Sequence, residues 1–161
     1  MPARIALAIL LGSATSPAMA QTGVDALFDL LCGRTTHFYD GQGNQIEYSA
    51  GDGTAYLWFN GIEDVIVGTW GVYETDEGPQ VCYQYPPLSF AAEEQGSTHC
   101  FTETALFETV VQGGSFNGDR YGLRDGEPPY LLPAHPFQPL ESFDADFPRL
   151  PPEPLCGVPI S

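Results

Sequence analysis

The chain has 161 residues, with 21 Asp and Glu against 5 Lys and Arg, a formal net charge of −16 at pH 7 and no lysine. Neutralising phosphates takes clustered cations, and repulsion from an anionic surface grows with net charge, so nucleic acid and acidic lipid are poor partners. A basic partner, bound cations or plain solubility in a saline setting stay compatible with this balance.

The first twenty residues, "MPARIALAILLGSATSPAMA", carry Arg4, an apolar run from Ile5 to Gly12, and the small-residue pattern Ala18-Met19-Ala20. This is the pattern of a secretory signal peptide over 1–20, with cleavage expected before Gln21. The apolar run is too short to span a bilayer, and no later segment reaches the roughly 20 apolar residues that spanning needs. No membrane insertion is expected. Cys32 lies well past the cleavage site and follows Asp25 and Asp29, which argues against a lipid anchor. The expectation is an exported protein, periplasmic or extracellular, with residues 21–124 as one β domain and 125–161 as a proline-rich extended segment. All four cysteines, Cys32, Cys82, Cys100 and Cys156, follow the leader, and an even count in an oxidising compartment reads as two disulfides. Of the three pairings, Cys82 with Cys100 and Cys32 with Cys156 is favoured.

In chain order, "TGVDALFDLLCG" offers Thr22 as an N-cap, Asp25 in the first turn and Gly33 at the end, which predicts a short helix over 23–32. Val24, Leu27, Phe28 and Leu31 recur at helical spacing and should pack on a sheet. From Arg34 onward the pattern turns to short β-type runs: "RTTHFY" and "QIEYSA" around the turn "DGQGN", then "TAYLWF", "VIVGTWGVY", "QVCYQY", "STHCFTE" and "LFETVVQ". Seven strands without intervening helices predict a mostly β fold, an antiparallel meander forming a small open barrel or sandwich.

Within "VGTWGVY", Trp70 and Val72 share one face and Val67, Thr69 and Tyr73 the other, while Val81, Tyr83 and Tyr85 share a face after the turn. Apolar bulk on both faces predicts a core-facing side and an outer side partly covered by the helix or the tail. Gly68 and Gly71, having no side chain to pack, suit a bulge or a sharp bend.

Residues 125–161 hold ten of the chain's 15 prolines. Such density forbids helix interiors and central strands. Yet Tyr130, Leu131, Leu132, Phe137, Leu140, Phe143, Phe147, Leu150 and Leu155 supply more apolar anchors than a solvated linker carries. A Cys32 to Cys156 bond would return the segment along the domain to cover part of it; a partner-docking arm is the alternative.

Catalytic and metal signatures are weak. His37, His99 and His135 show no helical metal spacing, and no cysteine pair has zinc-knuckle spacing, so neither metal nor cofactor is expected. His99 beside Cys100 could pair a base with a thiolate, but a disulfide cysteine is no nucleophile. Ser115 in "GGSFNG" has Asn117 where a nucleophile elbow needs glycine and reads as a loop. "DGQGN" and "NGDRYGLRDGE" are rich in oxygen ligands but lack the spacing of an EF-hand. The adjacent acids Glu63-Asp64, Asp76-Glu77 and Glu93-Glu94, like Asp144 with Asp146, are expected by chance among so many carboxylates, and none is nominated as catalytic.

Residues Leu31 to Phe101 resemble a group of small, uncharacterised secreted proteobacterial proteins, a domain-of-unknown-function type with lipocalin-like β architecture. The matching pieces are "LCGRT", "DGTAYLW", "VGTWGV", "VCYQY" and the second cysteine in "HCF". The resemblance implies a β module with a hairpin disulfide and brings no reaction; the proline-rich end departs from the pattern. The expected function is a monomeric, non-enzymatic binding or interaction module for a small apolar ligand or a protein partner. Tyr56, Trp58, Trp70 and Tyr83 are the candidate ligand-binding side chains, since aromatic rings with polar tips suit such pockets. A small hydrolase using carboxylates or His135, and a structural envelope component, are the alternatives.

Overall fold

A computed structural model describes residues 23–87, 97–140, 142–143 and 156. The leader 1–20, the acids Glu93, Glu94, Asp144 and Asp146, and the anchors Phe147, Leu150 and Leu155 lie outside the described residues. Helix α1 (Gly23–Leu31) is followed by β1 (Arg34–Asp40), β2 (Gly43–Ser49), β3 (Thr54–Phe59), β4 (Ile66–Thr75), β5 (Gly78–Tyr85) and β6 (Ser97–Thr102). Helix α2 (Glu103–Gly113), the short β7 (Ser115–Asn117) and a turn of 3-10 helix (Leu123–Asp125) complete the described elements. The seven strands are all antiparallel, in the order β6-β5-β4-β3-β2-β1-β7.

The period-two alternation decides which side chains meet on each face. Register sets Thr36 against Glu47, Glu47 against Leu57, and Trp70 against Tyr83, so these lie on one face with Phe38, Val81 and Tyr85. His37, Ile46, Tyr48, Tyr56 and Trp58 lie on the other. β2 and β5 are separated by two strands, yet the Ser49 and Tyr83 hydroxyls are 3.1 Å apart. The sheet therefore curls into a half-barrel whose concave face carries Glu47 and Tyr83.

The concave face is covered by the helices. Leu27 and Leu31 of α1 and Leu106 of α2 join Phe38, Ala55, Leu57, Ile66, Trp70, Val81, Tyr83 and Tyr85 in one apolar cluster. Leu27 and Leu31 are four residues apart and so project from the same side of α1, as the helical spacing predicts. The helix ends at Gly33, whose positive φ of 68° suits a left-handed terminus. On the convex face Leu132, Leu140 and Phe143 of the proline-rich strap pack with Ile46, Tyr48, Trp58, Tyr121 and Leu123.

The strap is held by one buried amide. Asn44 Nδ2 donates to the carbonyls of Pro133, Ala134 and Pro136 at 2.9, 3.1 and 3.0 Å, and its Oδ1 lies 3.0 Å from Nε2 of His37. Since Oδ1 can only accept, Nε2 carries the proton. Proline-rich chain has few N–H groups of its own, so its carbonyls need an outside donor; Asn44 supplies it, and the Trp58 indole N–H does the same for Tyr130. The close approach requires a glycine next to the amide: a Cβ on Gly43 would sit 2.6 Å from the Ala134 oxygen.

The structure corrects three expectations. "LFETVVQ" is not a strand but part of α2: the Thr102 hydroxyl caps the helix by accepting from the Ala105 N–H, Glu103 sits in the first turn, and Leu106 and Val110 fall on one side against the concave cluster. The seventh strand is instead the three residues around Ser115, which pair with Arg34 to Thr36. Gly68 and Gly71 mark no bulge, because the β4 ladder runs through both without an extra residue. The outer side of β4 is left uncovered by the described part of the strap, and Val67 and Tyr73 stay exposed there.

Both favoured disulfides form. Cys82 and Cys100 face each other across β5 and β6, and Cys32, at the end of α1, is joined to Cys156.

Candidate functional site

The curl leaves a cavity of about 60 Å³ on the concave face, between the β1–β2 end of the sheet and β5–β6. Phe38, Glu47, Tyr83 and Tyr85 are buried and form its floor, Phe101 is half-buried on its wall, and the exposed Asp40, Gln42 and His99 form its rim. One water needs about 10–15 Å³ on this measure, so the space admits a few water-sized groups and not a long lipid chain.

Gly68 shapes the floor. A Cβ there would run into the Gln84 carbonyl oxygen and fall within 2.8 Å of the Tyr85 ring, so glycine is what lets both the β5 backbone and that ring come this close to β4. Phe38 meets Tyr83 edge-on at 6.0 Å and stacks on Phe101 at 5.7 Å, which makes one wall of the cavity aromatic. The opposite side is polar: Asp40 Oδ1 accepts from the Gln42 N–H at 2.7 Å and from Gln45 Nε2 at 3.1 Å.

Glu47 is the unusual member. It is 5% exposed and projects from β2 into the concave face, among the apolar cluster and the buried hydroxyls of Thr36 and Ser49. Burial pushes its carboxyl up to about 8, with the nearby Tyr85 hydroxyl favouring the ionised form in opposition. Among the described residues Glu47 Oε1 and Tyr85 Oη have no protein partner other than each other. Burial, and then the Glu47 charge, hold the Tyr83 and Tyr85 phenols well above their ordinary range. Buried polar atoms in folded proteins are nearly always paired, and on this cavity wall Glu47 and Tyr85 meet only each other.

The four aromatic residues singled out in the sequence divide between the faces. Tyr83 lines the cavity; Trp70 lies beside it at 6.5 Å, stacked under Phe28 of α1 with its N–H donating to the Ala50 carbonyl. Tyr56 and Trp58 face the convex side, where Tyr56 stacks on Tyr48 and Trp58 packs against Tyr121, Tyr130 and Phe143. Glu47, Tyr85, Phe38 and Phe101 carry the cavity and were not nominated. Alternation places Glu47 opposite Ile46 and Tyr48, a pattern that reads as solvent-facing.

The histidines are not brought together. His37 is buried on the convex face, stacked on Phe137 at 5.5 Å; His99 is on the cavity rim; His135 accepts from or donates to the Tyr39 hydroxyl at 3.0 Å on the strap side. Burial lowers the pKa of His37, with Asn44 and the Gly113 backbone acting the other way. Among the described residues no three His, Cys, Asp or Glu side chains gather closely enough to hold a metal ion. The oxygen-rich loop around Asp119 is used locally: its carboxylate accepts from the Leu123 and Arg124 N–H groups at 2.8 and 2.9 Å. No described helix is long and apolar enough to cross a membrane. Comparison with known protein families, with curated proteins and with solved structures finds no match to this chain.

Proposed function

We propose that the protein is an exported, non-enzymatic binding module that holds a small molecule in the concave cavity of its half-barrel. The supporting observation is a buried carboxyl, Glu47, with no protein partner but the Tyr85 hydroxyl among the described residues, in the wall of an aromatic-lined cavity. Leaving such groups unpaired costs about 1–3 kcal/mol each, a cost that a bound polar group removes. Two disulfides agree with export, and so does the leader pattern at residues 1–20. The resemblance to secreted lipocalin-like domains points the same way, toward cargo in a β cup.

The hydrolase alternative would draw on the same cavity, where Asp40, Glu47 and His99 all reach the lining. Acid–base catalysis requires a base held by an orienting partner. Among the described residues His99 has no hydrogen bond to a carboxylate, which favours binding over turnover. Native mass spectrometry of protein taken from the exported fraction tests the reading. An added small-molecule mass that leaves on unfolding is expected in the wild-type protein and diminished in the double variant Glu47→Gln/Tyr85→Phe, which alters both polar groups of the cavity without adding bulk. A bare wild-type protein that also takes up no compound from a broad metabolite mixture would overturn it.

A further inference from the structure

The cavity's chemistry narrows its ligand, and the inference rests on reading the cavity as the binding site. Glu47 Oε1 and Tyr85 Oη are neighbours and both can accept; the Tyr85 hydroxyl is directed at Glu47, and among the described residues neither has any other partner. The nearest lateral neighbours of Glu47 on its sheet face are Thr36 and Leu57, neither of which is charged. Arg34 stands on the same face of β1, opposite Ser49 and two positions along the ladder from the Thr36–Glu47 pair, with its own Nε buried and unpaired; Glu47 nevertheless responds to burial and Tyr85 and not to this guanidinium. Among the described residues no side chain therefore supplies the positive charge that a buried carboxylate calls for. Aromatic faces from Phe38, Tyr83 and Phe101 flank the same space, and ring faces attract cations. The surrounding protein, at −16 overall, draws cations toward the rim.

We propose that the cavity binds a small protonated primary amine, whose ammonium group donates to Glu47 and Tyr85 while its hydrocarbon part lies against Phe38, Tyr83 and Phe101. An ammonium offers three donors at one point, which satisfies two adjacent acceptors as an alcohol or a quaternary ammonium cannot. The volume limits the ligand to a short amine.

Binding requires Glu47 to be ionised, so it is linked to pH. The titratable groups facing Glu47 are Tyr83 and Tyr85 from β5, His99 from β6 and Asp40 from β1, with none from β3, α1 or α2 on the cavity lining. Both phenols stay neutral over the working range because burial raises them. With the free carboxyl titrating near 8, the apparent affinity for an amine should rise about tenfold per pH unit from pH 6 toward pH 8, with one proton released on binding.

The test is calorimetric titration of the full chain, disulfides intact, with n-butylammonium, tetramethylammonium, n-butanol and butyrate, alongside aromatic NMR shifts of Phe38, Tyr83 and Phe101. The amine should bind at least tenfold more tightly than the other three at pH 8 and show the stated pH slope. Glu47→Gln should lose at least tenfold for the amine and leave butanol unchanged; Tyr85→Phe, which removes only the hydroxyl, should weaken the amine by a smaller factor. Butanol or butyrate binding as tightly as the amine, or a pH-independent amine affinity, would overturn the ammonium assignment while leaving the cavity as a ligand site. If none of the four probes shifts the three aromatic residues at millimolar concentration, the amine proposal and the binding-site reading fall together.

Discussion

The two faces of the sheet are built from the same strands and meet opposite fates. On the convex face the polar atoms of His37 and Asn44 are fully buried, and Asn44 ties three strap carbonyls and one imidazole into a single network. On the concave face a carboxyl is buried with comparable thoroughness, and among the described residues its Oε1 has no protein partner but the Tyr85 hydroxyl. The difference teaches where to look for function: each face leaves a buried atom unpaired, but His37 Nδ1 is enclosed in the packed network that ties down the strap, whereas Glu47 Oε1 opens on a cavity and is available to a ligand.

The comparison is broken most forcefully at Asn44. Replacing it by alanine strands a buried imidazole N–H and the Pro133 and Pro136 carbonyls, while the backbone N–H at position 44 still donates to Ala134; at about 1–3 kcal/mol for each buried group left unpaired, with the two part-buried carbonyls relieved by water, the loss should reach about 3 kcal/mol. Urea denaturation should show this loss, and amide exchange should show residues 132–143 losing protection before the concave cluster does. Equal loss of protection on both faces would mean that the strap and the half-barrel core form one cooperative unit.

The opposite sign is expected at Glu47. Its folded value of about 8 stands above the ordinary 4.5, so between those two values the native state holds a proton that the unfolded state has released. Stability contributed here is present below about 4.5, declines as pH rises, and is lost by about pH 8. At about 1.4 kcal/mol per unit the window caps the effect near 5 kcal/mol, and water entering the cavity should bring it to about 3. Glu47→Gln should thus be more stable than wild type by about that amount at pH 9 and indistinguishable from it at pH 4. A destabilised Glu47→Gln at pH 9 would show that the carboxylate is satisfied in solution and that the two faces do not differ as described.

Six of the seven strands were legible because each is a β-rich run bounded by Gly, Asn, Asp or Pro, and β3 was read to the residue as "TAYLWF". The misreading of "LFETVVQ" shows the limit of composition: its β-branched residues suggest a strand, while the Thr102 cap and the i, i+4 pair Leu106 and Val110 specify a helix. β7 is too short for alternation to register. The cavity was illegible for a different reason. In "QIEYSA" the alternation assigns Ile46 and Tyr48 inward and Glu47 outward, which is sound for a sheet covered on one side. Here the strap covers the Ile46 face and the helices cover the Glu47 face, and the meeting of Glu47 with Tyr85 depends on a curl across two intervening strands. The four nominated aromatics carried no facing information strong enough to separate Tyr83 from Trp58.

The smallest effect expected is on the acid side, and it sharpens the comparison by residue. His37 is neutral in the fold: Nε2–H is committed to Asn44, and Nδ1, directed at the Gly113 backbone, lacks a well-aligned partner. Its folded pKa is lowered below 6.5, chiefly by burial, so as pH falls through 6.5 the unfolded chain takes up a proton that the native chain refuses, and stability falls with it. Other carboxylates also titrate in acid, so the wild-type curve alone cannot isolate the histidine. His37→Gln keeps a donor toward Asn44 and removes the titration. Its melting temperature should fall less than that of wild type between pH 7 and pH 5, while its decline between pH 7 and pH 9, set by Glu47, should match wild type. Glu47→Gln should instead lose the decline between pH 7 and pH 9 and fall more steeply than wild type between pH 7 and pH 5, because it lacks the Glu47 contribution that grows as pH drops toward 4.5. Parallel curves for His37→Gln and wild type below pH 7 would mean that the imidazole is protonated within the fold and that the strap network tolerates a charge.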